Sequence, residues 1–366
     1  MQMRYRLLGN TGLRVSEVAL GTMTFGEDWG WGADRNESQK IFDRFADAGG
    51  TFLDTANLYT NGSSEQYVGD FISVDREHFV VATKYTLTPR PRLEGPPLVR
   101  PNESGNSRKS MVQSVEASLD RLGTDYIDLL YIHAWDYLTP VEEVVRAMDD
   151  LVRAGKVLYV AASDTPAYIV SEAITLARLR GWTEFNAIQA PYSLLKRDLE
   201  REIMPMARHH GISVVPWGIL QRGILTGKFS GPKRPEDGTT RLKASEIELG
   251  QAEERVVAEL MSISEELGQT PAAVAVNWTR SRDAHAQMVP LIGARTLAQL
   301  EQQLAGLTWE LSPEHVARLD AVSAPDLGFP HDFLPANRFV FGHTFDLIDD
   351  HRGQTPVSVR RSGGAG

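Results

Sequence analysis

The chain has 366 residues, with 38 lysines and arginines against 48 aspartates and glutamates and a formal charge of −10 at pH 7, a balance that excludes the basic surface needed for nucleic acid or anionic membrane. It contains no cysteine, which removes disulfides, thiolate metal sites and cysteine nucleophiles together and fits a reducing compartment. No apolar run reaches the roughly 18 residues of a membrane span and Met1-Gln2-Met3-Arg4-Tyr5-Arg6 lacks the apolar core of a secretion signal, so a soluble, cytoplasmic protein is expected.

Along the chain, residues 4–16 read as a small hairpin, with Gly9-Asn10 and Thr11-Gly12 as turn signals, placed to plug a barrel floor. Short apolar runs follow at 17–22, 51–55, 79–84, 127–133, 158–163, 187–193, 212–217 and 288–294. Most are near-continuous, the pattern of strands buried on both faces. Between them lie amphipathic stretches at 37–48, 64–73, 108–122, 140–154, 166–179, 198–210, 252–267 and 296–305. In 108–122, Met111, Val115, Leu119 and Leu122 recur at spacings of 4, 4 and 3, one face of a helix. Pro140, Pro166 and Pro271 open helical stretches, where a missing N–H is harmless. Two polar Gly/Pro loops, 86–107 and 229–250, interrupt the alternation.

Eight β-α alternations predict parallel strands, and eight is the number that closes a (β/α)8 TIM barrel. The alternative, a doubly wound sheet, would carry GxGxxG after its first strand; that motif is absent there. Residues 1–325 are therefore expected to form one barrel domain. Residues 326–366 form a tail, rich in phenylalanine at 329, 333, 339, 341 and 345, that partly caps the barrel and ends in disorder.

A barrel of this kind places its chemistry at the C-terminal strand ends. Strand two ends in Asp54, with Tyr59 in the loop beyond it; strand three ends in Lys84, strand four in His133, strand five in Ser163-Asp164, and strand six carries Gln189. Each residue alone has a bland reading: a core histidine, a snorkelling lysine, a turn aspartate, a packing tyrosine. Four titratable groups on successive strand tops are costly without a shared purpose. They suit proton donation to a carbonyl oxygen. A phenol is a poor acid at neutral pH; a neighbouring ammonium should lower its pKa, a carboxylate should hold the ammonium, and an imidazole should position the oxygen. No side chain offers a nucleophile and GxSxG is absent, so hydride from a bound nicotinamide fills that role.

The stretches LGNTGLRVSEVALGTMTFG, DAGGTFLDTANLYTNGSSEQYVG, DRLGTDYIDLLYIH, GKVLYVAASD and WGILQRGILTGKF resemble the aldo-keto reductase family from Gly9 to about residue 325. Residues 85–135 look most like its aryl-alcohol-dehydrogenase-like branch. The resemblance implies a catalytic tetrad of Asp54, Tyr59, Lys84 and His133, with Tyr59 the general acid. It implies that Ser163, Asp164 and Gln189 meet the nicotinamide carboxamide, although many relatives have asparagine in place of Asp164. Trp217 would stack on the ring, and Gly218, Leu220, Gln221, Gly223, Leu225 and Lys228 would follow the pyrophosphate. Gly293 and Arg295 would meet an adenosine 2′-phosphate, favouring NADPH/NADP+ over NADH. Gln299, Gln302 and Gln303 match adenosine-end positions, where relatives carry an acid and an asparagine at the last two.

On the substrate side, Met23, Phe25, Trp29, Trp31, Trp135 and Tyr137 surround the proposed acid, which favours an aromatic, cyclic or sugar-like aldehyde or ketone. His209-His210 has no third ligand in sight and HExxH is absent, so no metal is expected. The expected activity is reversible reduction of a small-molecule carbonyl by a monomer or homo-oligomer. The alternatives are a cofactor-sensing regulatory subunit of the same family with little turnover, and a barrel isomerase or lyase using Lys84 as a Schiff base.

Overall fold

The computed structural model describes residues 3–89, 99–229 and 247–334, with a few positions between 340 and 348. An antiparallel hairpin comes first, β1 (Tyr5–Leu7) paired with β2 (Arg14–Ser16). Its turn requires Gly9: at φ +55 a Cβ there would lie 2.4 Å from the Asn186 carbonyl oxygen. The Gly9 N–H donates to Ser213 Oγ at 2.7 Å, and the Asn10 amide donates to the His210 carbonyl at 2.9 Å. These bonds seat the hairpin at the N-terminal end of the strands, as expected for a floor plug.

Eight parallel strands follow: β3 (Ala19–Gly21), β4 (Phe52–Asp54), β5 (Val80–Tyr85), β6 (Ile127–Ile132), β7 (Val157–Ser163), β8 (Phe185–Pro191), β9 (Ser213–Trp217) and β10 (Leu291–Gly293). They pair in that order, and β10 returns to β3. Between β9 and β10 a parallel bridge joins Val214 to Met288, with the Val289 N–H donating to the Val214 carbonyl at 2.8 Å. The barrel is thus nearly closed, and each expected apolar run overlaps one of its strands, with β5, β7 and β8 reaching one or two residues past the expected ends.

The outer ring comprises α1 (Arg35–Asp47), α2 (Ser63–Ile72), α3 (Arg108–Leu122), α4 (Val141–Arg153), α5 (Ala167–Arg180), α6 (Ile203–His210), α7 (Gln251–Leu267), α8 (Pro271–Arg280), α9 (Leu297–Ala305) and α10 (Pro313–Val322). Asp34, Ser107, Thr270, Thr296 and Ser312 cap α1, α3, α8, α9 and α10, each accepting from the N–H three residues on. The α10 helix was not among the expected stretches, although Ser312-Pro313 is a helix start. The expected stretch 198–210 divides into a 3-10 turn at Asp198–Glu200 and α6.

Strand periodicity sorts the core into two layers. Ala19, Phe52, Val80 and Leu129 point inward and join Leu8 and Val15 of the hairpin in an apolar barrel filling. Their neighbours Leu20, Leu53, Val81 and Leu130 point outward against the helices. Among the described residues no helix is long and apolar enough to cross a membrane. Of the tail, Phe329 and Phe333 are exposed. Phe341 is exposed as well; Phe339, Phe345 and the last dozen residues lie outside the described residues, as do 90–98 and 230–246 of the two long loops.

Candidate active site

At the barrel mouth, Lys84 on β5 donates from Nζ to Asp54 Oδ2 at 2.6 Å, to the Thr55 carbonyl at 2.8 Å and to Tyr59 Oη at 3.2 Å. The Asp54–Lys84 pair is completely buried. Gln189 on β8 donates to the other carboxylate oxygen, Asp54 Oδ1, at 2.7 Å. Tyr59 is placed by the backbone: Thr60 and Asn61 behind it are left-handed, at φ 46 and 55, and Thr60 Oγ1 donates to the Phe25 carbonyl at 2.6 Å. His133, just past β6, stands edge-on to Tyr59 with ring centroids 5.7 Å apart. Its Nδ1 is buried without a hydrogen-bond partner among the described residues. The four residues expected at the strand tops therefore do converge.

The electrostatics correct one expectation. Burial pushes the Tyr59 phenol up; Lys84 lowers it in part, while Asp54 and Asp164 raise it further, and the net shift is upward. Loss of hydration wins over the single ammonium because Asp54 already neutralises that ammonium. Tyr59 therefore keeps its proton at neutral pH. Burial opposes charge on Lys84, but Asp54 and Tyr59 outweigh it and hold the ammonium above its ordinary value. Burial and then Lys84 push the His133 imidazole well below its usual range, so it is neutral.

Beside these groups lies Asp164, left-handed at φ 42, whose carboxylate accepts from the Trp217 indole N–H at 3.3 Å. Trp217 ends β9 and is 36 % exposed, so part of its indole is open to a ligand at the mouth. Loss of hydration raises the Asp164 carboxyl; Trp217, Lys84 and Lys196 offset it in part. Ser163 is buried on β7, in register with Gln189.

Beyond β9, Gly218 and Leu220 lead into a turn in which Gln221 and Arg222 are left-handed, at φ 45 and 56. Gln221 Nε2 donates to Ser193 Oγ at 3.0 Å. Gly223 has φ 98, and a Cβ there would lie 2.7 Å from Lys228 Nζ, so only glycine lets that lysine fold back over the turn. Burial and then the Arg295 charge push Lys228 below its ordinary value. After β10, Gln299 Oε1 accepts the Arg295 N–H at 2.9 Å, and Gln303 donates to the Gly293 and Gln299 carbonyls at 2.8 and 3.2 Å. Gln303 is buried by these bonds; it fixes the turn after β10.

Trp29 stands edge-on to Tyr59 at 6.4 Å, and Trp31 lies 5.9 Å from Trp29. The Trp135 backbone N–H donates to the Asp164 backbone carbonyl at 3.4 Å. Phe25 departs from expectation: it is completely buried with its ring 6.2 Å from Phe71 of α2, in the helix-side core, and offers a substrate no surface. Among the described residues no cluster of three or more histidine and acidic side chains is placed to hold a metal.

The sequence model of the aldo/keto reductase family matches residues 17–324. The chain belongs to the aldo/keto reductase family. It is 39 % identical to norsolorinic acid reductase stcV of Emericella nidulans, an alignment covering 88 % of this chain and 82 % of that protein. It is 37 % identical to the putative aryl-alcohol dehydrogenase AAD14 of Saccharomyces cerevisiae, over 90 % of this chain and 89 % of the relative. To the aryl-alcohol dehydrogenase (NADP+) of Phanerodontia chrysosporium it is 36 % identical, over 90 % and 88 %. This aldo/keto reductase is thus an oxidoreductase whose relatives include aryl-alcohol dehydrogenases.

One polar contact of this aldo/keto reductase escaped sequence reasoning. Glu37, in the first turn of α1, accepts the Leu297 N–H at 2.7 Å, placing a carboxylate on the N-terminus of α9. The two residues are 260 apart, and no local pattern links them.

Proposed function

We propose that this chain is an NADPH-dependent carbonyl reductase that interconverts aromatic or other ring-bearing aldehydes or ketones with their alcohols in the cytosol. The observation that carries the reading is Lys84 Nζ, bonded at once to Asp54 and to the Tyr59 hydroxyl in a buried site. The names of the aryl-alcohol and norsolorinic acid relatives support a ring-bearing substrate, and one of them names NADP+.

The exposed face of Trp217 and the strained turn at Gln221 and Arg222 fit a nicotinamide and its pyrophosphate, and the Lys228–Arg295 pair fits a further phosphate. When bound, the reduced cofactor supplies hydride to the carbonyl carbon. Tyr59 donates its proton to the carbonyl oxygen as charge develops there. Lys84 steadies the phenolate left behind, and Asp54 keeps Lys84 charged and in place. His133 presents a neutral ring nitrogen that orients the oxygen. Trp29, Trp31 and Trp135 wall the substrate side.

Tryptophan fluorescence titrations with NADPH and NADH test the cofactor, followed by turnover of aryl aldehydes and cyclic ketones. NADPH-selective quenching with measurable turnover is expected. Absence of binding by either nucleotide would remove the reading.

A further inference from the structure

The charges at the mouth do not balance. Asp54 and Lys84 cancel one another in a buried pair. Tyr59 and His133 are neutral, one held protonated and the other unprotonated by burial. Asp164 remains: its carboxylate accepts only the neutral Trp217 N–H and has no salt bridge among the described residues. Lys196, the other cation that acts on it, is exposed and lies 3.9 Å from its own partner, Asp198. Beside Trp217 the Asp164 side chain is therefore an exposed acid with no salt-bridge partner among the described residues, at the place where a flat ligand would meet the indole.

The two redox states of nicotinamide differ by one charge on the ring: neutral when reduced, cationic when oxidised. Both fit the same space and both present the same carboxamide. A carboxylate beside the ring discriminates by charge alone, and covering it with ligand strengthens the discrimination by excluding water. The backbone sharpens the point. A left-handed residue is a natural place for asparagine, whose side-chain oxygen also accepts from Trp217; aspartate gives up the amide's N–H donors and brings a charge in their place.

We propose that Asp164 makes the site select the oxidised, cationic nicotinamide over the reduced, neutral one. This rests on the cofactor reading above and deepens it. The consequence for catalysis is that the protein favours the charge the ring acquires as hydride leaves, while Tyr59 supplies the proton that completes the alcohol.

Calorimetric titrations of the wild-type protein and Asp164→Asn with NADP+ and NADPH test this; NAD+ and NADH replace them if that pair binds more tightly. Asparagine suits φ 42, so the variant should fold. The ratio of the reduced-form to the oxidised-form Kd should fall about tenfold in the variant, chiefly through weaker binding of the oxidised form. A ratio that stays constant while both forms weaken together would overturn the proposal, because it would mean that Asp164 only holds the carboxamide or the loop. Binding of neither form by the wild-type protein would remove the cofactor reading and this inference with it.

Discussion

Gln189 reaches across the barrel mouth from β8 to hydrogen-bond Asp54 on β4 at 2.7 Å, so both oxygens of that buried carboxylate are occupied before any ligand arrives. Gln189→Leu leaves Asp54 Oδ1 without its donor. An unsatisfied buried acceptor costs about 1–3 kcal/mol. An unfolding free energy lowered by that amount is expected in urea, read as a lower midpoint at an unchanged slope; an unchanged midpoint would mean the oxygen finds water from the mouth.

Tyr59→Phe removes the proposed acid and little else. Lys84 keeps Asp54 and the Thr55 carbonyl, so folding should survive. Turnover of any carbonyl substrate should fall by about two to four orders of magnitude, while nucleotide still quenches tryptophan fluorescence. Intact turnover would reassign the proton donor.

Three histidines should make the protein acid-sensitive. Burial lowers His133, His210 and His285, with added repulsion from Lys84, from His209 and Arg178, and from Arg282 respectively; His285 falls to about 4. Each binds a proton more weakly folded than unfolded, so the unfolded chain takes up more protons as pH falls. Their contribution is full above the unfolded value of about 6.5 and is lost as pH drops toward the folded values. Denaturant midpoints measured from pH 7.5 to 4.5 should decline, less steeply in His285→Gln. A flat profile would contradict the burial argument.

Glu37 puts a carboxylate on the α9 N-terminus, beside the turn that holds Arg295. If the 2′-phosphate of the cofactor binds there, the two anions compete for one dipole end. Glu37→Gln should tighten NADPH binding by about three- to tenfold and leave NADH nearly unchanged. Equal tightening of both nucleotides, read by titration, would place that phosphate elsewhere.

The barrel was legible because the strand segments are apolar on both faces, and the strand tops followed from it: Asp54, Lys84 and His133 each sit at the end of an apolar run. What stayed hidden depends on side-chain direction and on distant partners. Phe25 lies in the right loop, but the Thr60 bond to its carbonyl and its packing on Phe71 fix it on the core side. Gln303 matched an adenosine position, yet its amide turns back to Gly293. The upward shift of Tyr59 depends on how much water the fold removes, which no spacing of residues records. Helix α10 was readable at Ser312-Pro313, but it follows the last strand, where the β-α alternation gives no reason to expect another helix.

The plugged floor leaves the site open on one side. Beneath Asp54 and Lys84 the filling is Phe52, Val80, Ala82, Leu129, Ala161 and Leu8, with the Tyr131 phenol among them, a layer that is mostly hydrocarbon. In the proposed reaction, a Tyr59 that has given up its proton would have Lys84 beside it and water at the mouth as its nearest sources. If substrate and cofactor both bind on that side, as proposed, departing product would be what readmits the water that restores the proton.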